Sequence, residues 1–317
     1  MTVLNDCGTL FVIATPIGNL GDLSPRAQAM FRDVSAIYAE DTRHTGQLLM
    51  HLGIRCPLVA LHDHNEDAMT NQVIFRLKKG ESLALVSDAG TPVISDPGFR
   101  LIRAVQAAML RVSPIPGPCA AIAALSVSGL PSDRFIFEGF LPAKPSARVR
   151  RLQQVLTETR TLIFYEASHR IVDTMADMVQ IFGADRWGVI GRELTKRFET
   201  ISAGELRQLQ ANILEDGDQR RGEFVLMIHG ATEGHRRQRE EGLRVYRVLA
   251  RHLAPSLAAR LAAELTGAAR KDLYGAEAFP SKEAVCHTNA GGVGQAVASS
   301  IIVDAEESPG STGQGAR

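Results

Sequence analysis

The sequence predicts an α/β protein of two lobes with a small C-terminal helical region. Short apolar runs alternate with helix-period segments from Leu10 to His229, the pattern of sheets covered by helices. A Pro/Gly-rich stretch, Pro114–Pro118, divides that series into two. At 317 residues the chain exceeds the size at which a single core keeps growing. Hydrophobic residues make up 45% and charged residues 22%, as in ordinary globular domains.

In the first lobe Leu10–Ala14 reads as the opening strand. Ser24-Pro25 gives an N-cap hydroxyl and a proline pre-set for the first helical position, so a helix runs toward Asp33. Ala36–Ala39, Leu58–Leu61, Leu83–Val86 and Val112–Ile115 are short apolar strands, with helices at Glu66–Lys79 and Pro97–Leu110. Such alternation predicts a mostly parallel sheet. In the second lobe Ala120–Ser128 is a small-residue helix. Strands follow at Phe135–Phe140, Thr161–Tyr165, Trp187–Ile190, Phe198–Ile201 and Glu223–His229, with helices at Pro145–Glu158, His169–Ile181 and Leu206–Glu215. Mixed pairing is expected there.

His235–Lys271 changes character. It carries eight Arg and one Lys against three Glu, with Leu243, Val245, Leu249, Leu253 and Leu257 on an apolar side. It reads as one or two amphipathic helices, followed by an alanine-rich helix at Ala258–Leu265. A basic helical appendix is a candidate nucleic-acid contact, and a solvated helix face fits the composition equally. Gly275–Arg317 is rich in Gly, Ser and Ala without periodicity and reads as a disordered tail. The expected units are thus 1–117, 118–232, 235–274 and 275–317.

Lys plus Arg and Asp plus Glu both number 35, which excludes a globally basic coat protein but not a local basic patch. Cys7, Cys56, Cys119 and Cys286 are scattered, without metal-site spacing, so reduced thiols and a cytoplasmic location are expected. Neither a signal peptide nor a run of about 18 apolar residues is present, and no membrane partner is expected.

The most informative segment is Leu85–Gly98, which leaves one apolar strand and enters a helix. Between Asp88 and Gly98 it holds two Asp, two Gly and two Pro. Ligands of open α/β sheets bind at strand carboxyl ends. The glycines permit close backbone approach, and Asp88, Thr91, Ser95 and Asp96 offer polar atoms. Pro114–Ala121 and Thr15–Arg26 also follow strands, but the glycines of the latter lack dinucleotide-fingerprint spacing, and no GxxxxGK[ST] occurs. Ala39–Gly46 places Glu40, Asp41, Arg43 and His44 at a strand end. These side chains suit substrate positioning or proton transfer, and equally a helix cap by Asp41 with an ion pair. His62–Glu66 has no second ligand cluster, so a helix-capping loop is preferred to a metal site.

FVIATPIGNLGDLSPRA, AEDTRHTGQLL, LVSDAGTPVISDPG, PGPCAAIAAL and FYEASHRI resemble the tetrapyrrole methylase superfamily, and within it the ribosomal RNA branch. The resemblance runs from about Thr9 to about Tyr274, and beyond it there is none. It implies S-adenosyl-methionine as cofactor and 2′-O-methylation of cytidine 1402 in 16S rRNA of the small ribosomal subunit. It also implies a homodimer with the cofactor between the lobes. It assigns to the cofactor Pro16, Asp88, Ala89, Gly90, Thr91, Pro92, Val93 and Asp96, then Pro116, Gly117, Ala120 and Ala121. Tyr165 and Glu166, with Ile201–Gly204, would come from the second lobe.

For the chemistry, Glu40, Asp41, His44 and His62 are candidate proton acceptors, since a ribose hydroxyl is a poor nucleophile while protonated. Arg43, Arg192, Lys196 and Arg197 are candidates to hold phosphates near the cleft, and Lys144, Arg148, Arg150, Arg151, Arg236 and Arg237 to contact RNA. No metal is expected. The competing readings are a methylase of a small tetrapyrrole, which needs no extended cationic surface, and a non-catalytic RNA-binding assembly factor.

Overall fold

The computed structural model describes residues 7–62 and 65–273. Asp63, His64 and the tail expected at Gly275–Arg317 lie outside them. The elements all fall within one compact unit, Met1–Tyr274.

The first lobe contains β1 (Thr9–Ile13), α1 (Pro25–Asp33), β2 (Ala36–Ala39), α2 (Thr42–His51), β3 (Leu58–Ala60), α3 (Glu66–Lys78), β4 (Leu83–Val86), α4 (Phe99–Ala107) and β5 (Arg111–Ile115). Its sheet has the order β3-β2-β4-β1-β5. Every pairing is parallel. β2 and β4 are buried along their whole length, as inner strands of a doubly covered sheet are. One apolar cluster, with Phe31 and Ile37, covers one face, and another, with Tyr38 and Leu101, covers the other. The chain leaves β1 toward β2 and leaves β4 toward β5, in opposite directions. The carboxyl ends of β1 and β4 therefore flank a topological switch point, where a crevice opens.

Local chemistry sets the boundaries. Ser24 Oγ accepts from Ala27 N at 3.1 Å and Pro25 opens α1, as expected. Helix α4 begins at Phe99 rather than Pro97, because Gly98 sits at φ +120, outside helical space. Asn65 spans the turn before α3, accepting from His62 N and donating to Ala60 O, and Glu66 reaches across to accept from Leu101 N. Asn65 stands at the N-cap of α3 but makes no side-chain cap hydrogen bond, so its side chain ties the preceding loop and does not cap the helix.

The second lobe contains α5 (Ala120–Val127), β6 (Phe135–Phe140), α6 (Pro145–Gln154), β7 (Thr161–Ala167), α7 (Ile171–Phe182), β8 (Trp187–Arg192), β9 (Thr200–Glu205), α8 (Leu206–Glu215) and β10 (Glu223–Ile228). Its sheet, β6-β7-β10-β8-β9, is mixed: β6 and β7 are parallel and the other pairings antiparallel. β9 starts at Thr200 instead of Phe198, since residues 193–199 form a tight turn in which Glu193 and Thr195 take positive φ. Helix α6 stops at Gln154, four residues before the expected Glu158.

Helices α9 (Glu233–Leu249), α10 (Pro255–Thr266) and α11 (Arg270–Leu273) close the described chain around Tyr246, Ala258, Ala259 and Ala262. Gly242 makes this approach possible, as a Cβ there would lie 2.6 Å from that of Ala268. No helix among the described residues is long and apolar enough to cross a membrane.

Candidate active site

The loops leaving β1 and β4 are stitched together above the crevice. Thr15 and Gly90 exchange backbone hydrogen bonds of 2.9 and 3.1 Å, and Thr15 Oγ donates to Ser87 O at 3.3 Å. Gly90 stands at φ +82, and a Cβ on it would press on Ile17 at 3.2 Å. Val93 and Ser95 also hold positive φ, which costs a residue with a side chain on the order of 1–3 kcal/mol. Of the five described non-glycine residues with positive φ, four lie in this loop and in the 193–199 turn, so strain gathers at the crevice.

The second lobe closes over it. The register of β6 shifts between Phe137 and Gly139, and Gly139, at φ +66, seats directly on Ser95 Oγ. Thr91 Oγ donates to Pro118 O at 2.9 Å. Tyr165 accepts from Ala121 N at 3.0 Å, and its ring meets Phe137 and Phe140 edge to face.

Between the lobes lies a cavity of about 310 Å³. Asp88 to Thr91, Ile94 to Asp96, Ile17 and Glu40 line it from the first lobe, and Cys119, Ala120, Phe140, Tyr165, Leu194 and Glu223 to Val225 from the second. One wall is acidic and the rest is largely apolar. Burial pushes Asp96 up to about 6, with the nearby charges of Glu40 and Asp88 adding to the rise and a hydrogen bond from Ser87 opposing it. Burial likewise raises the Tyr165 phenol, which stays neutral.

At the rim, Asp88 works with both oxygens. Oδ1 accepts from Asp41 N at 2.9 Å, and Oδ2 lies 3.1 Å from His44 Nδ1. Asp41 caps α2 through Arg43 N and grips the Arg43 guanidinium at 2.6 Å, which holds its carboxyl far below the usual range. Carboxylate and imidazole atoms of Asp41, His44 and Asp88 fall within 4.8 Å of one another, a spacing that suits a metal ion. Arg43 already supplies the positive charge there.

The family model for "Tetrapyrrole (Corrin/Porphyrin) Methylases" matches residues 9–210, and that for the "RsmI C-terminal HTH domain" matches residues 238–276. A Xylella fastidiosa (strain Temecula1) protein named Ribosomal RNA small subunit methyltransferase I is 62% identical over 268 residues, 84% of this chain and 98% of that one. Proteins of the same name from Pseudomonas aeruginosa and Escherichia coli O157:H7 are 54% and 48% identical, covering 84% and 85% of this chain and 95% and 94% of theirs. The chain belongs to the tetrapyrrole methylase family, in its ribosomal RNA small subunit methyltransferase I branch. Among solved structures, a cobalt precorrin-4 methyltransferase superposes with TM-score 0.53 at 12% identity, over 72% of this chain and 97% of that one. A diphthine synthase does so with TM-score 0.52 at 13% identity, over 70% and 89%. At such identities these two bear on the fold alone.

The cavity suits the cofactor implied for this methylase branch. S-adenosyl-methionine carries a sulfonium and an ammonium against one carboxylate, and the acidic residues Glu40, Asp88 and Asp96 line the cavity that would receive it. Ala89, Gly90 and Ala120 leave room for a flat ring against backbone, and Phe140 and Tyr165 offer aromatic cover. The structure thus brings together Glu40, Asp88, Ala89, Gly90, Thr91, Asp96, Ala120 and Tyr165. Pro16, Pro92, Val93, Pro116, Gly117 and Ala121 are not among the lining residues. A Cβ on Gly117 would lie 2.9 Å from that of Ala14.

Several sequence-based assignments need correction. Glu166 borders the cavity, but its carboxylate is fully buried in the second lobe, accepting from Ala167 N and Thr174 Oγ beside Arg170. Arg148 is 4% exposed and bound to Asp177 at 2.6 Å, so it cannot track RNA. Arg192 is buried and donates to the carbonyls of Phe198, Asp218 and Arg221, an internal brace in place of a phosphate clamp. Lys196 is held by Glu193 and Glu223, and its stem packs on Gly18, so it ties the lobes. Arg151 and Arg236 sit in ion pairs with Glu138 and with Glu233 and Glu240. Ile201–Gly204 lies in β9, outside the cavity lining. Lys144, Arg150 and Arg237 are exposed.

Sequence reasoning missed Ile17, Ile94, Cys119, Phe140, Leu194 and the Glu223–Val225 end of β10. The available signal was position: each adjoins a glycine-rich turn or a strand end.

Proposed function

We propose that this chain methylates the ribose 2′-oxygen of cytidine 1402 in 16S rRNA of the small ribosomal subunit, as a cytoplasmic homodimer using S-adenosyl-methionine. The observation that carries the reading is the acid-walled cavity at the β1/β4 switch point, closed by Phe140 and Tyr165. S-adenosyl-methionine, when bound, supplies an electrophilic methyl group. Asp88, Asp96 and Glu40 would favour its cationic groups, and Ala89 to Thr91 with Ala120 would hold its flat ring.

The chain's own task is then to place the ribose hydroxyl and take its proton. His44 is the group we assign to this. In the tautomer that donates Nδ1–H to Asp88, 3.1 Å away, Nε2 carries the lone pair that would accept the proton. Asp88 orients the ring and stabilises the imidazolium that forms. Asp41 is unsuited as a base, because Arg43 occupies its carboxylate and keeps it ionised. Lys144, Arg150 and Arg237 project into solvent, where phosphate contacts would set the register of the strand without reading sequence.

The test uses tritiated S-adenosyl-methionine with purified small subunits, free 16S rRNA and a tetrapyrrole precursor as parallel acceptors. Label in the subunit rRNA that maps to the ribose of cytidine 1402 is the expected result. Label in the tetrapyrrole alone would overturn the reading. A chain that binds no cofactor and labels no acceptor would favour the assembly-factor alternative.

A further inference from the structure

The arginines of helix α9 differ in fate. Arg236 is bound by Glu233 and Glu240, and Arg244 by Glu241. Arg237, Arg247 and Arg251 are exposed, and among the described residues none of them has a side-chain ion pair. Arg237, Arg244 and Arg251 recur every seven residues, two helical turns within about 20°, and Arg247 lies three and four residues from the last two, so all four share one face. Arg251 extends this row just past the end of the helix. Gly242 and Tyr246, each two residues from Arg244 and so about 200° around, turn inward on α10. The arginine row thus points away from the small helical core and spans about 20 Å.

The second helix of this pair offers no counterpart. In α10 the one arginine, Arg260, is 3.9 Å from Glu264, and the exposed Leu265 is apolar. In helix-turn-helix proteins that read DNA, the second helix enters the groove and the first crosses the backbone. Of these two helices, only the first presents a row of arginines to a polyanion.

We propose that the Arg237/Arg247/Arg251 face of α9 is a phosphate-backbone grip on the rRNA substrate, and that α10 is its support and not a recognition helix. The inference rests on the rRNA reading above. Guanidiniums in a row with no base-reading partner give affinity and salt dependence, with little sequence preference. The grip therefore contributes to substrate binding and not to the methyl-transfer step.

The experiment compares the full chain with the triple variant Arg237→Gln/Arg247→Gln/Arg251→Gln and with Arg260→Gln. Binding to small subunits and to free 16S rRNA is measured across a salt series, alongside methyl transfer and cofactor affinity. The triple variant should lose at least tenfold in rRNA affinity near 0.1 M salt, and its log–log salt slope should flatten by about 2–3, one phosphate per arginine. Cofactor affinity and kcat at saturating subunit should stay within twofold, and Arg260→Gln should match the parent. An unchanged slope in the triple variant, or an equal loss in Arg260→Gln, would overturn the inference. So would loss of subunit binding with free-rRNA binding intact, which would make a ribosomal protein the partner. Failure of the rRNA reading shows differently, as a parent chain that binds cofactor but labels no rRNA.

Discussion

Asp88–Gly98 and Lys144–Arg151 are both conspicuous runs of sequence, and the structure treats them in opposite ways. In the first, the loop's own backbone decides what faces the ligand: Gly90, Val93, Ser95 and Gly98 hold positive φ and fold neighbouring residues into one concave wall. In the second, helical periodicity divides the run. Arg148 and Leu152, four apart, turn inward, Arg151 pairs with Glu138, and Arg150 remains in solvent. A ligand loop concentrates its chemistry along the chain, whereas a charged helix scatters it around an axis. Charge in a run therefore says less about partners than unusual backbone does.

The cleft half of this contrast is tested most severely by His44→Ala. Loss of the proposed proton acceptor should lower kcat by about 10²–10³, with cofactor affinity within twofold, since His44 meets the cavity wall only through Asp88. Single-turnover transfer to small subunits measures it. A kcat that does not move would shift the proton-accepting role to Glu40.

The helix half is tested next by Arg148→Ala. Truncation strands the Asp177 carboxylate, 17% exposed, beside apolar α6 and α7 packing. Breaking a buried pair costs about 3 kcal/mol, which urea unfolding reads directly. If Arg148 served RNA instead, the variant would unfold like the parent and lose rRNA affinity.

What was legible followed the same division. The strand–helix alternation gave both lobes, because β2 and β4 are buried on both faces and so read as continuous apolar runs. Asp88, Gly90, Thr91 and Asp96 were legible because a loop at a switch point must spell its site contiguously. Phe140, Leu194 and Glu223 were not, because they reach the cavity through the pairing of β6, β8 and β10, a relation between distant segments. Arg192 was misjudged for a related reason. Its partners are three backbone carbonyls from the turns around β9 and before β10, which sequence does not display.

A smaller effect tests the electrostatic side of the cleft. Asp96 titrates near 6 in the folded chain against 3.8 as its ordinary value, so the native state keeps a proton that the unfolded chain releases. Stability contributed by that proton is complete below about pH 3.8 and is lost as pH rises through about 6. Asp96→Asn keeps an acceptor for Ser87 without the charge. It should match the parent near pH 4 and exceed it by about 1 kcal/mol at pH 7, solvent screening removing the rest of the linkage. Thermal melts across that range measure the difference, and a constant offset at all pH values would mean that shape and not charge distinguishes the two.

The mildest change belongs to Arg150→Gln, and it isolates what position alone does within one charged run. Arg150 is two residues from Arg148 on the same helix, so about 200° of rotation separates a buried brace from a solvated cation. Removing the exposed one should leave stability within about 0.5 kcal/mol, as surface substitutions do. With one cation fewer facing the phosphates, the log–log salt slope of rRNA binding should flatten by about 0.7–0.9, and binding should weaken several-fold at low salt. Set beside Arg148→Ala, the pair forms a crossed result: one variant changes stability with rRNA affinity per folded molecule intact, and the other does the reverse. If both variants altered only stability, α6 would be a structural helix throughout, and the cationic surface would reduce to Lys144 and the α9 face.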